Sequence, residues 1–347
     1  MKQFILYSWI VVLMVVLVGC SQDDADAVAS AQTPIEFTAD SPARFITRGV
    51  IENNSQLQSA GFGVLAYYTG SYTWNLCDGS GADGHTSRVA PNFMYNQQVT
   101  WNNTNSNWTY SPVKYWPNDN NQADGSGAEG SQTNSYVSFF AYAPYNGTGI
   151  ALSNNTTTGA PTVTYTWGAE NDLLYASQLD CYKTMTSPGS YGTVGGQVPF
   201  NFQHALAQVK FKVRRSSGSA LVIKVKSLTV SGFYTSGTFN WGDVTPTWSS
   251  TSGSGNKTFD PDPDMNVTAD TEGDAQLIGS SLMIPATSTP PATVLSYTIN
   301  YSVGPQENSK TDDIPLTSYE MGYQYTIIFT IDADGIIVDT QKYTEQW

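Results

Sequence analysis

The sequence predicts an all-β protein of antiparallel sheets, and three observations carry that prediction. Apolar residues recur with period two in runs closed off by Gly, Pro and Asn clusters, the spacing of half-buried strands. No window sustains an apolar helical stripe for three turns between strong caps. Charged residues make up only 13% of the chain, about half the usual share. The polar surface is therefore built from Ser, Thr, Asn, Gln and Gly, as in extracellular β-proteins.

The chain opens on a different pattern. Phe4 to Val18 is an apolar run behind Lys2; it leads through Gly19 to Cys20 and the acidic stretch Ser21-Gln22-Asp23-Asp24-Ala25-Asp26. This is the layout of a bacterial lipoprotein signal. Residues 1–19 are read as the signal peptide, and cleavage leaves Cys20 as an acylated, palmitate-bearing N-terminus. A run of about 15 apolar residues is short for a membrane span. The bland alternative is an ordinary signal peptide or a short membrane anchor that holds a cysteine.

Strands follow in order. In the first half they are expected at Ile35 to Thr38, Phe62 to Tyr68, Val137 to Tyr142, Val163 to Trp167 and Leu173 to Leu179. In the second half they are expected at Ala205 to Val213, Leu221 to Val230, Leu277 to Ile284, Val294 to Val303, Tyr323 to Ile331 and Ile336 to Thr344. Asp332-Ala333-Asp334-Gly335 joins the last two as a hairpin. The Gly- and Ser-rich stretch from Ser187 to Gly196 marks a domain boundary. That gives a lipidated segment over 20–48 with a first strand, a domain over 49–195 and a second over 196–347. Asn118 to Ser135 and Ser249 to Asp274 read as long polar surface loops.

Charge and cysteine content narrow the function. The formal net charge of −14 becomes −15 once Lys2, the single charge within residues 1–19, is lost. A field of that sign does not draw nucleic acid or anionic lipid. Cys77 and Cys181 remain after Cys20; in an oxidising compartment they either pair as a disulfide or stand as separate buried thiols.

Motifs for catalysis fail on context. Gly125 to Gly130 matches G-x-G-x-x-G but lies in a polar loop with no strand before it or helix after it. Gly253 to Thr258 lacks the glycine a P-loop needs before its lysine and reads as a flexible turn. There is no G-x-S-x-G or H-E-x-x-H, and nothing selects a pair of carboxylates. His204 sits in an alternating run and reads as a packed or hydrogen-bonded histidine. No enzyme and no cofactor is expected. Asp260, Asp262 and Asp264 could ligate calcium, but prolines stiffen that stretch and Met265 stands where an EF-hand has its turn glycine. A solvated acidic loop is the competing reading.

Aromatic residues cluster between Phe93 and Trp116. Trp101, Trp108 and Trp116, interleaved with asparagines, are either glycan contacts or the packed rings of a hairpin. The run YNQQVTWNNTNSNWTYSPVKYWPN, from Tyr95 to Asn118, followed by VSFFAYAPY from Val137 to Tyr145, resembles the fimbrillin-like lipoproteins of Bacteroidetes, a superfamily of major and minor fimbrial subunits. Thr47-Arg48-Gly49, GFGVLAYYTG from Gly61, FNFQHALAQVKFKV from Phe200 and the late Ile284-Pro285-Ala286 agree with it.

The resemblance implies two transthyretin-like β-sandwich domains in tandem and a structural or adhesive role in a surface fimbria, or pilus. It implies a surface-exposed lipoprotein of the outer membrane, a cut by a trypsin-like protease after Arg48, with Arg44 as the alternative, and loss of the first strand. A strand from another subunit then fills the groove. The donor in such proteins comes from the C-terminal region, here Ile336, Ile337, Val338 and onward to Tyr343. Neither face of that run is strongly apolar past Val338, so tip, accessory and stalk positions all stay open. Partners would be other fimbrial subunits, the protease, and a host or microbial surface glycan or protein. A glycan-binding lipoprotein of a polysaccharide-uptake system is the other reading.

Overall fold

In the computed structural model the described residues are 33–42, 51–70, 72–74, 89–117, 136–168, 171–182, 197–241, 245–286 and 294–346, with the backbone alone for 342–346. Apart from Thr33 they all belong to one compact unit, Pro34–Trp347. Nearly every element is a strand. The first half holds β1 (Glu36–Asp40), α1 (Asn54–Ala60), β2 (Phe62–Gly70), β3 (Met94–Asn102), β4 (Asn107–Thr109), β5 (Tyr136–Ala143), β6 (Ile150–Leu152), β7 (Thr162–Thr166) and β8 (Leu174–Cys181). Then come β9 (Gln197–Asn201), β10 (Gln203–His204), β11 (Ala207–Arg215), β12 (Ile223–Phe233), β13 (Ser236–Asn240), β14 (Thr247–Ser252), β15 (Gly255–Phe259) and β16 (Met265–Val267). The last are β17 (Gln276–Met283), β18 (Ser296–Val303), β19 (Gln306–Asp313), β20 (Tyr323–Ile331) and β21 (Ile336–Gln346).

A six-stranded sheet in the order β10-β8-β5-β2-β3-β4 forms the wall between two cores. One face carries Phe62, Val64, Phe139, Ala141 and Leu174 into the first core. The other carries Leu65, Tyr67, Phe140 and Tyr142 into the second. Because both faces are covered, β2 and β5 are buried almost without interruption and read as continuous apolar runs instead of strict alternation.

The second core lies largely between the sheets β17-β11-β20-β21 and β15-β12-β18-β19, with β16 also paired to β12. Phe211, Ile327 and Phe329 meet Leu228, Val230, Tyr297 and Ile299 there; the Tyr297 and Phe329 ring centroids are 4.9 Å apart. A further sheet, β14-β13-β7-β6, pairs β7 of the first half with β13 of the second, so the halves are stitched by backbone as well as by packing. Val198, Phe200 and Phe202 join the first core and Ala205 onward the second. The first half contributes to both cores, whereas after Phe202 the residues of these two clusters all belong to the second.

Two expectations need correction. Ser249 to Asp274 is not a structureless loop: it holds most of β14 and all of β15 and β16. Gly253 and Ser254 link β14, which pairs with β13, to β15, and Gly255 to Thr258 lie in β15, which pairs along β12 from Phe259↔Leu228 to Gly255↔Phe233. The short helix α1 was also unforeseen. Asn53 caps it by accepting from Gln56 N at 3.0 Å, and it ends at Gly61, whose φ of 64° is cheap only for glycine.

Candidate functional site: the first strand and its groove

The residues with the clearest claim to function are those around β1. Its residues alternate, with Phe37 buried, Ala39 partly buried, and Glu36, Thr38 and Asp40 exposed. Ile35, just before it, is 1% exposed and Phe37 4%. The Phe37 ring stacks on Phe200 at 5.5 Å and meets Tyr110, Phe139 and Phe62 at 5.2, 5.9 and 6.3 Å. Burying two large apolar side chains makes this short strand a plug in the first core.

The backbone of β1 is held on one flank. It runs parallel to β9 in register Phe37↔Val198 and Ala39↔Phe200, and these two strands form a sheet of their own. Parallel pairing of an isolated pair is a weak ladder. Single contacts close its ends: Ile35 N donates to the Lys114 carbonyl at 2.9 Å and Phe202 N to the Asp40 carbonyl at 2.9 Å. Tyr110 Oη donates to the Ile35 carbonyl at 2.8 Å, and burial raises that phenol's pKa. A groove of about 620 Å3 runs beside β1, lined in part by Trp101, Trp108, Tyr110 and Gln197.

Downstream of this strand, Ile51 is firmly tied. Ile51 N donates to Asp172 Oδ2 at 3.2 Å, and the same oxygen lies 2.8 Å from His204 Nδ1, both side chains fully buried. His204 is therefore the packed, partnered histidine its sequence context suggested. Asp172 had no local signal, since it meets His204 only through the pairing of β8 with β10.

Cys20, Arg44, Arg48 and Cys77 lie outside the described residues. Cys181 is buried, with Sγ 3.7 Å from the carbonyl oxygens of Gln178 and Leu179, and burial raises its thiol pKa. Trp101 and Trp108 face each other across the β3–β4 hairpin, centroids 5.3 Å apart. Trp108 packs on Phe62 at 4.8 Å and Trp116 against Phe139 at 6.0 Å. With Trp116 2% exposed and Trp108 9%, these two rings are core and not a glycan platform; Trp101 is partly exposed.

Ile336, Ile337 and Val338 lie on β21, the edge strand paired with β20, as does the backbone of Tyr343. Ile336 and Val338 pack on the second core while Ile337 is 58% exposed. Asp260, Asp262 and Asp264 are exposed between β15 and β16. Among the described residues no group of three or more His, Cys, Asp or Glu is placed to hold a metal ion.

Comparison with known proteins agrees with this architecture. A solved fimbrial protein from Bacteroides vulgatus superposes with a TM-score of 0.63 at 23% identity, covering 90% of this chain and 99% of that one, which shows a shared fold. The fimbrium subunit Fim1C of Phocaeicola vulgatus is 32% identical over 206 residues, 56% of this chain and 47% of that protein; the match spans about half the length of the relative. The fimbrillin-like family model matches residues 131–347, well over half of the chain, and the protein belongs to the fimbrillin-like family.

Proposed function

We propose that this protein is a structural or adhesive subunit of a cell-surface fimbria. It is delivered to the outer membrane as a lipoprotein on Cys20, trimmed after Arg48 or Arg44 by a trypsin-like protease, and joined to its neighbours by donor-strand exchange. One observation carries the reading. The strand upstream of both arginines is held by one parallel neighbour, yet its side chains fill a core.

Loss of β1 would strip Phe37 from Phe200, Tyr110 and Phe139 and leave β9 with unpaired backbone groups. A strand-wide gap of that kind is a template for β-addition. An incoming strand with apolar side chains at alternate positions restores both the ladder and the core. For β21 to act as donor it would first have to leave β20, which favours a tip or accessory place over a stalk.

The test is limited trypsin treatment of the purified chain, N-terminal sequencing and size measurement. A new N-terminus at Gly49 or Phe45, followed by oligomers that resist dissociation, supports the proposal. Arg48→Ala together with Arg44→Ala should block the trimming. A trimmed product that stays monomeric and keeps 36–40 bound would sink it.

A further inference from the structure

A second feature lies away from β1. A cleft of about 560 Å3 is lined by Tyr175, Gln203, Thr247, Trp248, Glu320 and Tyr323, among others. A smaller hollow of about 330 Å3 adjoins it and shares Tyr175, Gln203 and Pro246. The Tyr175 and Gln203 side chains thus border both hollows.

The aromatic rings are fixed and their polar ends are already engaged. Trp248 Nε1 donates to the Ala205 carbonyl at 2.7 Å. The indole also rests on Gly237, where an added Cβ would come within 3.0 Å of it. Tyr175 Oη donates to Gln203 Oε1 at 2.7 Å, and its ring leans on Phe239 at 4.9 Å. What these part-buried rings offer a ligand is therefore their apolar surface.

Around the rings stand groups that pair with hydroxyls. Gln203 keeps its amide nitrogen as a donor, Thr247 brings a hydroxyl, and Glu320 brings a carboxylate. Among the described residues no lysine or arginine lines either hollow.

We infer that these hollows bind a neutral oligosaccharide, whose ring faces stack on Trp248 and Tyr175 and whose hydroxyls reach Gln203 and Thr247. Fixed aromatic surface beside a few convergent polar groups is what such a ligand needs. With Glu320 in the lining and no lysine or arginine among its described residues, a neutral sugar is favoured over one that carries carboxylate or sulfate. The double hollow calls for a chain of sugars instead of a single one.

The test is binding of the untrimmed chain to an immobilised array of neutral, uronic and sulfated oligosaccharides and proline-rich peptides, followed by calorimetry on the strongest neutral ligand. Gln203 is exposed, so Gln203→Ala should leave the thermal midpoint unchanged and weaken binding about tenfold. Trp248→Ala should abolish binding; Trp108→Ala, in the first core, should not change the affinity of the folded fraction. Absence of binding to every neutral oligosaccharide overturns the inference. So does binding that Gln203→Ala and Trp248→Ala both leave intact, or a preference for acidic sugars or peptides.

Discussion

Replacing Phe37 by alanine probes how the first strand is held. Phe37 is 4% exposed and touches four other rings. Deleting a buried phenylalanine ring costs about 3–5 kcal/mol when the site cannot collapse, and a wall of Phe62, Phe139 and Phe200 leaves little room for collapse. The ladder to β9 supplies only an isolated parallel pair, so most of this loss should appear as local opening of β1. Hydrogen exchange read by mass spectrometry on peptides covering 36–40 and 197–201 is the assay. At about 1.4 kcal/mol per decade, exchange there should quicken by a hundredfold or more, while β5 and β20 keep most of their protection. Thr38→Ala, on the exposed face, should fall within about 0.5 kcal/mol of the parent. If β9 exchanges no faster in Phe37→Ala, or if every strand loosens equally, β1 is not a separable plug.

Other expectations concern buried polar groups and one turn. Burial raises the Asp180 carboxyl from 3.8 to about 6, against lowering hydrogen bonds from Trp74 N and Ser138. The folded state thus holds this proton more tightly than the unfolded chain. Asp180 adds stability at low pH that fades as pH rises from about 4 to 6, leaving a cost of about 3 kcal/mol above that window. Asp180→Asn should raise the midpoint at pH 7 and flatten its pH dependence between about pH 4 and 6; an unchanged pH profile would count against the buried carboxylate. Asp172→Ala strips Ile51 N and His204 of a shared acceptor and should cost about 1–3 kcal/mol in denaturant unfolding, with exchange quickened at 51–53; intact protection there would refute the tie. Gly61→Ala places a Cβ 2.9 Å from the Val99 carbonyl at φ 64° and should cost about 1–2 kcal/mol in thermal unfolding; a neutral result would contradict the cap geometry.

Much of the fold was legible because burial left its period in the chain. Runs such as Val137 to Tyr142 and Ala207 to Val213 had to be strands, since apolar residues at that density need a covered sheet. Strands β14 and β19 were missed for the opposite reason. Their Ser, Thr, Asn and acidic residues are mostly exposed, so they carry no apolar face to read; only pairing with β13 and β18 makes them strands. Helix α1 buries Leu57 alone, too little to show a helical period. At the site, Ile35 and Phe37 were visible as a short strand, but their partners were not. Phe200, Tyr110 and the Asp172–His204 pair are brought in by topology, and no local spacing announces them.

The register of β1 also sets an order of events. Glu36 meets Gln197 across a separation of 161 residues, and contacts that distant are slow to form because the loop between them must close first. A chain made and exported from its N-terminus presents β1 first, while the strand that receives it is still absent. The earliest strand to emerge is thus among the last to find its place, and until then the first core must assemble with its plug missing. A nascent chain whose β1 has not yet docked leaves the β9 edge without its partner, and an unpaired edge of that kind is prone to wrong pairing until β1 closes it.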